Sequence, residues 1–186
     1  MARTPKSALS LLLVSSFILG AMVSLCSSCP TSCETEIVWT LYARQIGKGD
    51  NRNQEQAVPP VNNITKFGEI VVNNWAVLDA PVPTANIVAH ARGTHMMAGD
   101  WFTSLSIVFE GARFNGSTLQ VMGITDAQGQ WAIVGGTGEL ARADGTIKHK
   151  IVPPTPTTSI NENYRQLDIH AFYSPPAVNA NFIADV

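Results

Sequence analysis

His95 and Asp126 are the side chains of this sequence best suited to moving a proton inside a binding pocket. His95 closes a run of small residues. One parity of its segment reads Ile87, Ala89, Ala91, Gly93, His95, Met97, and the other reads Val88, His90, Arg92, Thr94, Met96. Alternate residues of an extended segment share a face, so the small residues and an imidazole that titrates near neutrality lie together. This face is expected to line a cavity, with Ala89, Ala91, Gly93 and Met97 against a ligand and His95 as acid or base. The alternatives are that Trp101 or Phe109 from a facing strand fills the space, and that His95 only hydrogen-bonds at a strand end. Asp126 is the second candidate acid or base; it precedes Gln128-Gly129 and also suits a turn former. Asp168 and His170, two residues apart, either orient an imidazole or belong to a wet outer face. The sequence holds no Ser-His-Asp set and no spacing that argues for a metal.

The segment Ile133-Val134-Gly135-Gly136-Thr137-Gly138-Glu139-Leu140 offers a second kind of chemistry. Gly135-x-x-Gly138-x-x-Ala141 fits the glycine pattern of a dinucleotide-binding turn, which requires a strand before it and a helix after it. Gly145 interrupts any such helix, and Thr146, Ile147, Ile151 and Val152 favour a strand. Pro153, Pro154 and Pro156 then break the chain before a second parallel strand. Two strands joined by a glycine turn is the expected local structure.

The elements that must carry these residues read almost entirely as β. Strands are expected at 35–42, 67–78, 85–97, 101–110, 117–125, 130–134, 139–152 and 164–173, with a long polar loop over 43–65. Eight closely spaced strands and no long helix predict an all-β fold, an eight-stranded antiparallel β-barrel or a sandwich. A closed barrel removes sheet edges and can hold one small ligand.

The N-terminus reads as a cleaved signal peptide, residues 1–28: Arg3 and Lys6, an apolar run from Leu9 to Leu25, then Ser27 and Ser28. The remainder, about 155–160 residues, is one domain of sufficient size for a core. It is expected as a barrel over 29–173 and a loose tail over 174–186. Without Arg3 and Lys6, ten basic residues face fourteen acidic ones, a formal charge of −4, with no basic stripe; no nucleic-acid partner is expected. No membrane association is expected after cleavage. Cys26, Cys29 and Cys33 lie within eight residues of one another and suggest neither a disulfide framework nor a metal site. Asn63-Ile64-Thr65 and Asn115-Gly116-Ser117 are glycosylation sequons, so Asn63 and Asn115 should lie in surface loops of a secreted glycoprotein.

The order of these features resembles the dirigent family of plant secreted proteins. The resemblance rests on Phe67-Gly68-Glu69-Ile70-Val71-Val72, on Ala91-Arg92-Gly93 in a small-residue strand, on the Asn-Gly-Ser hairpin and on Val134-Gly135-Gly136-Thr137-Gly138. It runs from about Glu34 to Tyr173 and looks nearest to the dirigent domain that some grasses fuse to a jacalin-like lectin, here with no room for the lectin. The resemblance implies an allene oxide cyclase-like barrel that assembles as a homo-oligomer, a dimer or trimer, in the apoplast. It implies no cofactor, a small aromatic ligand, and an external oxidase supplying phenoxy radicals whose coupling into lignans the protein steers. A non-catalytic apoplastic binding or defence protein is the alternative. The match weakens at the pocket. Where the family shows His-Asp after its first strand this chain has Ala43-Arg44, and where a family Arg would stand it has Gln128 or Gly129. Family tyrosines match His95 and Met97, and Asp126 is the one acidic candidate at the hairpin.

Overall fold

The structure is a computed structural model and describes residues 34–153 and 161–174. The expected signal peptide, the three cysteines and the tail from 175 lie outside the described residues. Nine strands follow in chain order: β1 (Thr35–Ile46), β2 (Gln54–Val58), β3 (Ile70–Leu78), β4 (Ile87–Met97), β5 (Trp101–Phe109), β6 (Thr118–Ile124), β7 (Gln128–Thr137), β8 (Asp144–Ile151) and β9 (Glu162–Tyr173). All neighbours pair antiparallel. The order is β1-β9-β8-β7-β6-β5-β4-β3-β2, and β1 also pairs with β3. That last pairing closes eight strands into a barrel and leaves short β2 on β3 alone.

Alternation decides what faces inward. Ile37, Leu41 and Ala43 of β1, Trp75 and Val77 of β3, and Leu105, Ile107 and Phe109 of β5 are buried. Leu119 and Val121 of β6, Trp131 and Ile133 of β7, and Leu167, Ile169 and Ala171 of β9 complete the core with Ile147 of β8. One end is plugged by rings. Trp39 stacks on Phe109 at 5.8 Å between centroids, Phe109 meets Phe114 edge-on at 5.9 Å, and Phe114 meets Tyr173 at 5.8 Å. Phe114 holds this place with a left-handed backbone, φ 61°, a conformation that costs a bulky residue energy and that its burial among rings offsets.

Two local expectations change. The polar stretch 43–65 is not all loop: β1 runs on to Ile46, because Ala43 and Gln45 continue the buried parity set by Leu41. Gln54–Val58 forms an extra strand, polar because it is a sheet edge exposed along most of its length. The glycine segment is also not a separate turn after a short strand. Gly135 and Gly136 lie inside β7, and a three-residue 3-10 turn (Gly138–Leu140) follows. A Cβ on Gly136 would stand 2.1 Å from the Leu140 carbonyl oxygen, so close backbone approach explains that glycine.

Gly93 is the equivalent case on β4. A Cβ there would lie 2.2 Å from the Ser104 carbonyl oxygen and 2.6 Å from Leu105 Cα, both backbone atoms that cannot swing away. Gly93→Ala is expected to destabilise the barrel by about 1–3 kcal/mol through overpacking. Chemical denaturation beside a Gly135→Ala control, whose Cβ meets only the Gln120 side chain at 3.9 Å, checks this.

Candidate functional site

Antiparallel topology gathers the C-terminal ends of β1, β4, β6 and β8 with the N-terminal ends of β3, β5, β7 and β9. At this end, opposite the aromatic plug, the inward parity turns polar. Gln45, His95, Thr103, His149 and Arg165 are buried there, each on the same parity as the apolar residues further along its strand. A cavity of about 280 Å³ opens among Gln45, Gln54, Val71, Trp75, His95, Trp101, Thr125 and Arg165. A larger open groove of about 570 Å³ runs along β2 and β3, but its Arg52 and Glu55 are already ion-paired. The smaller cavity is the candidate because it joins aromatic walls to buried polar atoms that lack partners.

His95 is 6% exposed and stacks on Trp75 at 4.6 Å between centroids. Its Nδ1 meets Thr103 Oγ1 at 2.5 Å, and its Nε2 has no partner. Thr103 Oγ1 also bonds Thr125 Oγ1, to which Trp131 Nε1 donates at 3.2 Å. Across the mouth, Arg165 is 5% exposed. Its Nη1 donates to the Asp126 carbonyl oxygen at 2.6 Å and to His149 Nδ1 at 2.7 Å, while its Nε has no partner. Among the described residues no carboxylate lies within ion-pair distance of it. His149 stacks on Trp131 at 4.3 Å, and its Nε2 reaches the Ile124 carbonyl oxygen at 3.3 Å.

Burial, and then the Arg165 charge, lowers His95 to about 4. The same two causes lower His149 to about 4, against smaller opposing effects from the Ile124 carbonyl and Asp126. Burial lowers Arg165 to about 10, with Asp126 opposing. At neutral pH both imidazoles are therefore neutral and the guanidinium is charged.

Of the residues picked from sequence, His95 lies at this cavity and the others do not line it. Ala89 and Ala91 are buried deeper in the barrel, where Trp75 and Phe109 belong to the same packed core. Gly93 presses against β5 backbone, and half-buried Met97 sits opposite Trp101 at the strand end. The Asp126 carboxylate is exposed and accepts from Ala127 N at 2.7 Å within its turn; its carbonyl oxygen, not its carboxylate, touches Arg165. Asp168 accepts from Thr40 and Gln166, and His170 pairs with Glu36, so that i, i+2 pair is divided between separate surface contacts. Arg44 is not loop-borne but pairs from β1 with Glu162 at 2.6 Å. Asn63 and Asn115 are exposed. Arg165, His149, Thr103 and Gln45 were missed, although each interrupts an otherwise apolar parity in its strand, which is the signal that finds them.

A family model for dirigent-like proteins matches residues 38–172. The chain belongs to the dirigent family. Its barrel is similar to that of the pterocarpan synthase dirigent protein GePTS1, at 21% identity over 78% of this chain and 89% of that one, with a TM-score of 0.69. The pterocarpan synthase dirigent protein PsPTS1 is also similar, at 21% identity over 77% of this chain and 97% of that one, with a TM-score of 0.62. These likenesses establish the fold. A comparison with curated protein sequences gives no significant match.

The neutral histidines make stability depend on pH in this dirigent barrel. Both are depressed from 6.5 to about 4, so the unfolded chain takes up protons first as pH falls. Their contribution is fully present above about 6.5 and is lost on acidification toward pH 4. Unfolding free energy is expected to fall across that window by up to about two protons' worth of slope. Denaturation curves at stepped pH check it, and His149→Gln should flatten the dependence.

Proposed function

We propose that this dirigent protein holds one small aromatic ligand in the cavity at the open end of its barrel and restricts the geometry in which that ligand reacts. The carrying observation is the cavity itself, walled by Trp75 and Trp101 and edged by buried His95 and Arg165. Rings supply orientation by stacking and a few fixed polar groups supply direction. Holding a reactive species in one pose is enough to bias the face on which it couples. In this reading an external oxidase generates phenoxy radicals and the protein has no oxidative centre of its own.

The size of the cavity favours a single ring, being at the lower end of volumes that hold drug-sized ligands. Its chemistry argues against proton transfer as the protein's contribution. Among the described residues no carboxylate lines it, and His95 is neutral at working pH. Ala43, in the place of the family's His, is fully buried, and Arg44, in the place of its Asp, is tied to Glu162. Loss of a general acid or base typically costs about 10²–10⁴ in rate where the reaction needs one. This favours binding with weak steering over strong stereocontrol on the usual lignan monomer. With a one-electron oxidase and coniferyl alcohol, chiral chromatography is expected to give a near-racemic coupled product while tryptophan fluorescence reports binding. A strongly one-handed product would overturn that weighting.

The same reading includes secretion, with glycan on exposed Asn63 and Asn115, and assembly into a dimer or trimer. Support for assembly comes from the outer wall. Ile70, Met96, Phe102 and Ile124 face one another across β3 to β6, and Val72 and Met122 lie on the next row of that outer face. Met96, Ile124, Val72 and Met122 are each about two-fifths exposed or more. A contiguous apolar strip on a closed barrel has no strand edge to pair and fits a face-to-face subunit contact. Ile124→Lys is expected to shift the protein toward monomer in sedimentation velocity; an unchanged distribution would place the contact elsewhere.

A further inference from the structure

The order of protons around the cavity follows from which atoms can donate. Trp131 Nε1 carries one hydrogen and accepts none; it shares that hydrogen between the Ile124 carbonyl oxygen at 3.1 Å and Thr125 Oγ1 at 3.2 Å, so Thr125 Oγ1 accepts from it. The Thr125 proton then goes to Thr103 Oγ1, and the Thr103 proton to His95 Nδ1. The reverse order leaves the Thr125 hydroxyl proton with no acceptor among the described residues. A neutral His95 that accepts at Nδ1 carries its proton on Nε2, the atom without a partner. The histidine therefore presents an N–H to the cavity.

The other polar groups follow the same pattern. Trp75 Nε1 donates to Gln54 Oε1 at 2.8 Å, which leaves the Gln54 amide nitrogen as its free end. His149 accepts from Arg165 at Nδ1 and so holds its proton on Nε2, toward the Ile124 carbonyl; it cannot offset the guanidinium charge. Arg165 Nε is buried with no partner. Of the acceptors at this end Thr103, Thr125, His149 Nδ1 and Gln54 Oε1 are occupied and buried Asn73 Oδ1 is not, while the one cationic donor, Arg165, keeps a free Nε. A buried cation with no ion-paired carboxylate among the described residues, only the more distant Asp126 charge, and buried N–H groups without acceptors are costly to leave unmade.

Given the aromatic-ligand reading above, on which this inference rests, we infer that the cavity selects a ligand bearing an anionic oxygen on or beside a single aromatic ring, held by Arg165 and the His95 Nε2–H. The guanidinium supplies charge, the imidazole supplies direction, and the indoles of Trp75 and Trp101 supply the walls for the ring. A phenolate and an aromatic carboxylate share this chemistry. A neutral alcohol of the same skeleton satisfies the ring and leaves the cation unmatched.

Titration calorimetry on the full-length protein at pH 7.5 tests this with 4-hydroxycinnamate against 4-hydroxycinnamyl alcohol, and with 4-nitrophenolate against nitrobenzene at pH 8.5. Each anion is expected to bind at least about tenfold more tightly than its neutral counterpart, the usual scale for a hydrogen bond to a charged group. A preference confined to the phenolate pair places the anionic oxygen on the ring, and one confined to the carboxylate pair places it on the side chain. Arg165→Met is expected to bring both ratios close to one, and His95→Phe, which keeps a ring on Trp75, to reduce them severalfold. The wild-type ratios need no variant to fold. Equal binding of anion and neutral partner would overturn the donor-site inference while leaving the aromatic pocket standing. Failure of all four probes to bind would instead remove the pocket reading itself.

Discussion

Tyr42, Ala43 and Arg44 pair with Leu78, Val77 and Ala76, and these three contacts between the first and third barrel strands turn an open sheet into a closed wall. Without them the sheet would keep two edges, and its inward parity would face solvent at the gap. Closure also fixes which side of every strand is inside, because a one-residue slip would exchange the two faces. The join falls where β1 changes from apolar to polar residues. Ala43 and Gln45 point inward, while Arg44 points outward to Glu162 of β9. That ion pair ties β1 to β9 immediately beside the seam.

Closure makes the two ends of the barrel different. The plugged end is filled by Trp39, Phe109, Phe114 and Tyr173, and a filled end excludes water. The open end contains the groups that folding could not pair with one another. Arg165 is the sharpest case, since taking a guanidinium out of water is unfavourable unless it is paired. Its partners here are a carbonyl oxygen and a neutral imidazole nitrogen, each weaker than a carboxylate. Such an arrangement persists when the surrounding barrel is stable enough to hold it, and it gives the site a direction: toward acceptors and negative charge.

The small residues of β4 bear differently on the two halves of the barrel. In the middle, Ala89, Ala91 and Gly93 give room to the large rings of the core and to the β5 backbone, so they permit packing and not emptiness. Space appears only where the strand reaches His95 and the facing residues become polar. A pocket made in this way is shaped by the loss of apolar partners at strand ends. Family membership sets the barrel, and the identity of a few terminal residues sets what the barrel can hold.

The sequence by itself determined the all-β antiparallel class and the inward parity of β4, because alternation and turn residues are local signals with a fixed period; they left barrel and sandwich open, and closure is set by the β1–β3 pairing. It also marked His95, since an imidazole after a run of alanine and glycine is conspicuous. It did not reveal β2, whose wet edge lacks an apolar face, or the continuation of β7 through Gly135 and Gly136, which reads locally as a turn. Only tertiary structure decided the site. Gln45, His95, Thr125, His149 and Arg165 are separated by as much as 120 positions and meet because antiparallel strands alternate their ends. Whether His95 donates or accepts was undecidable from its neighbours in the chain, since it depends on Thr103 of β5 and, through it, on Thr125 just after β6 and on Trp131, whose Nε1 is shared between Thr125 and the Ile124 carbonyl. Proton placement and buried charge are properties of assembled surroundings, which local sequence does not encode.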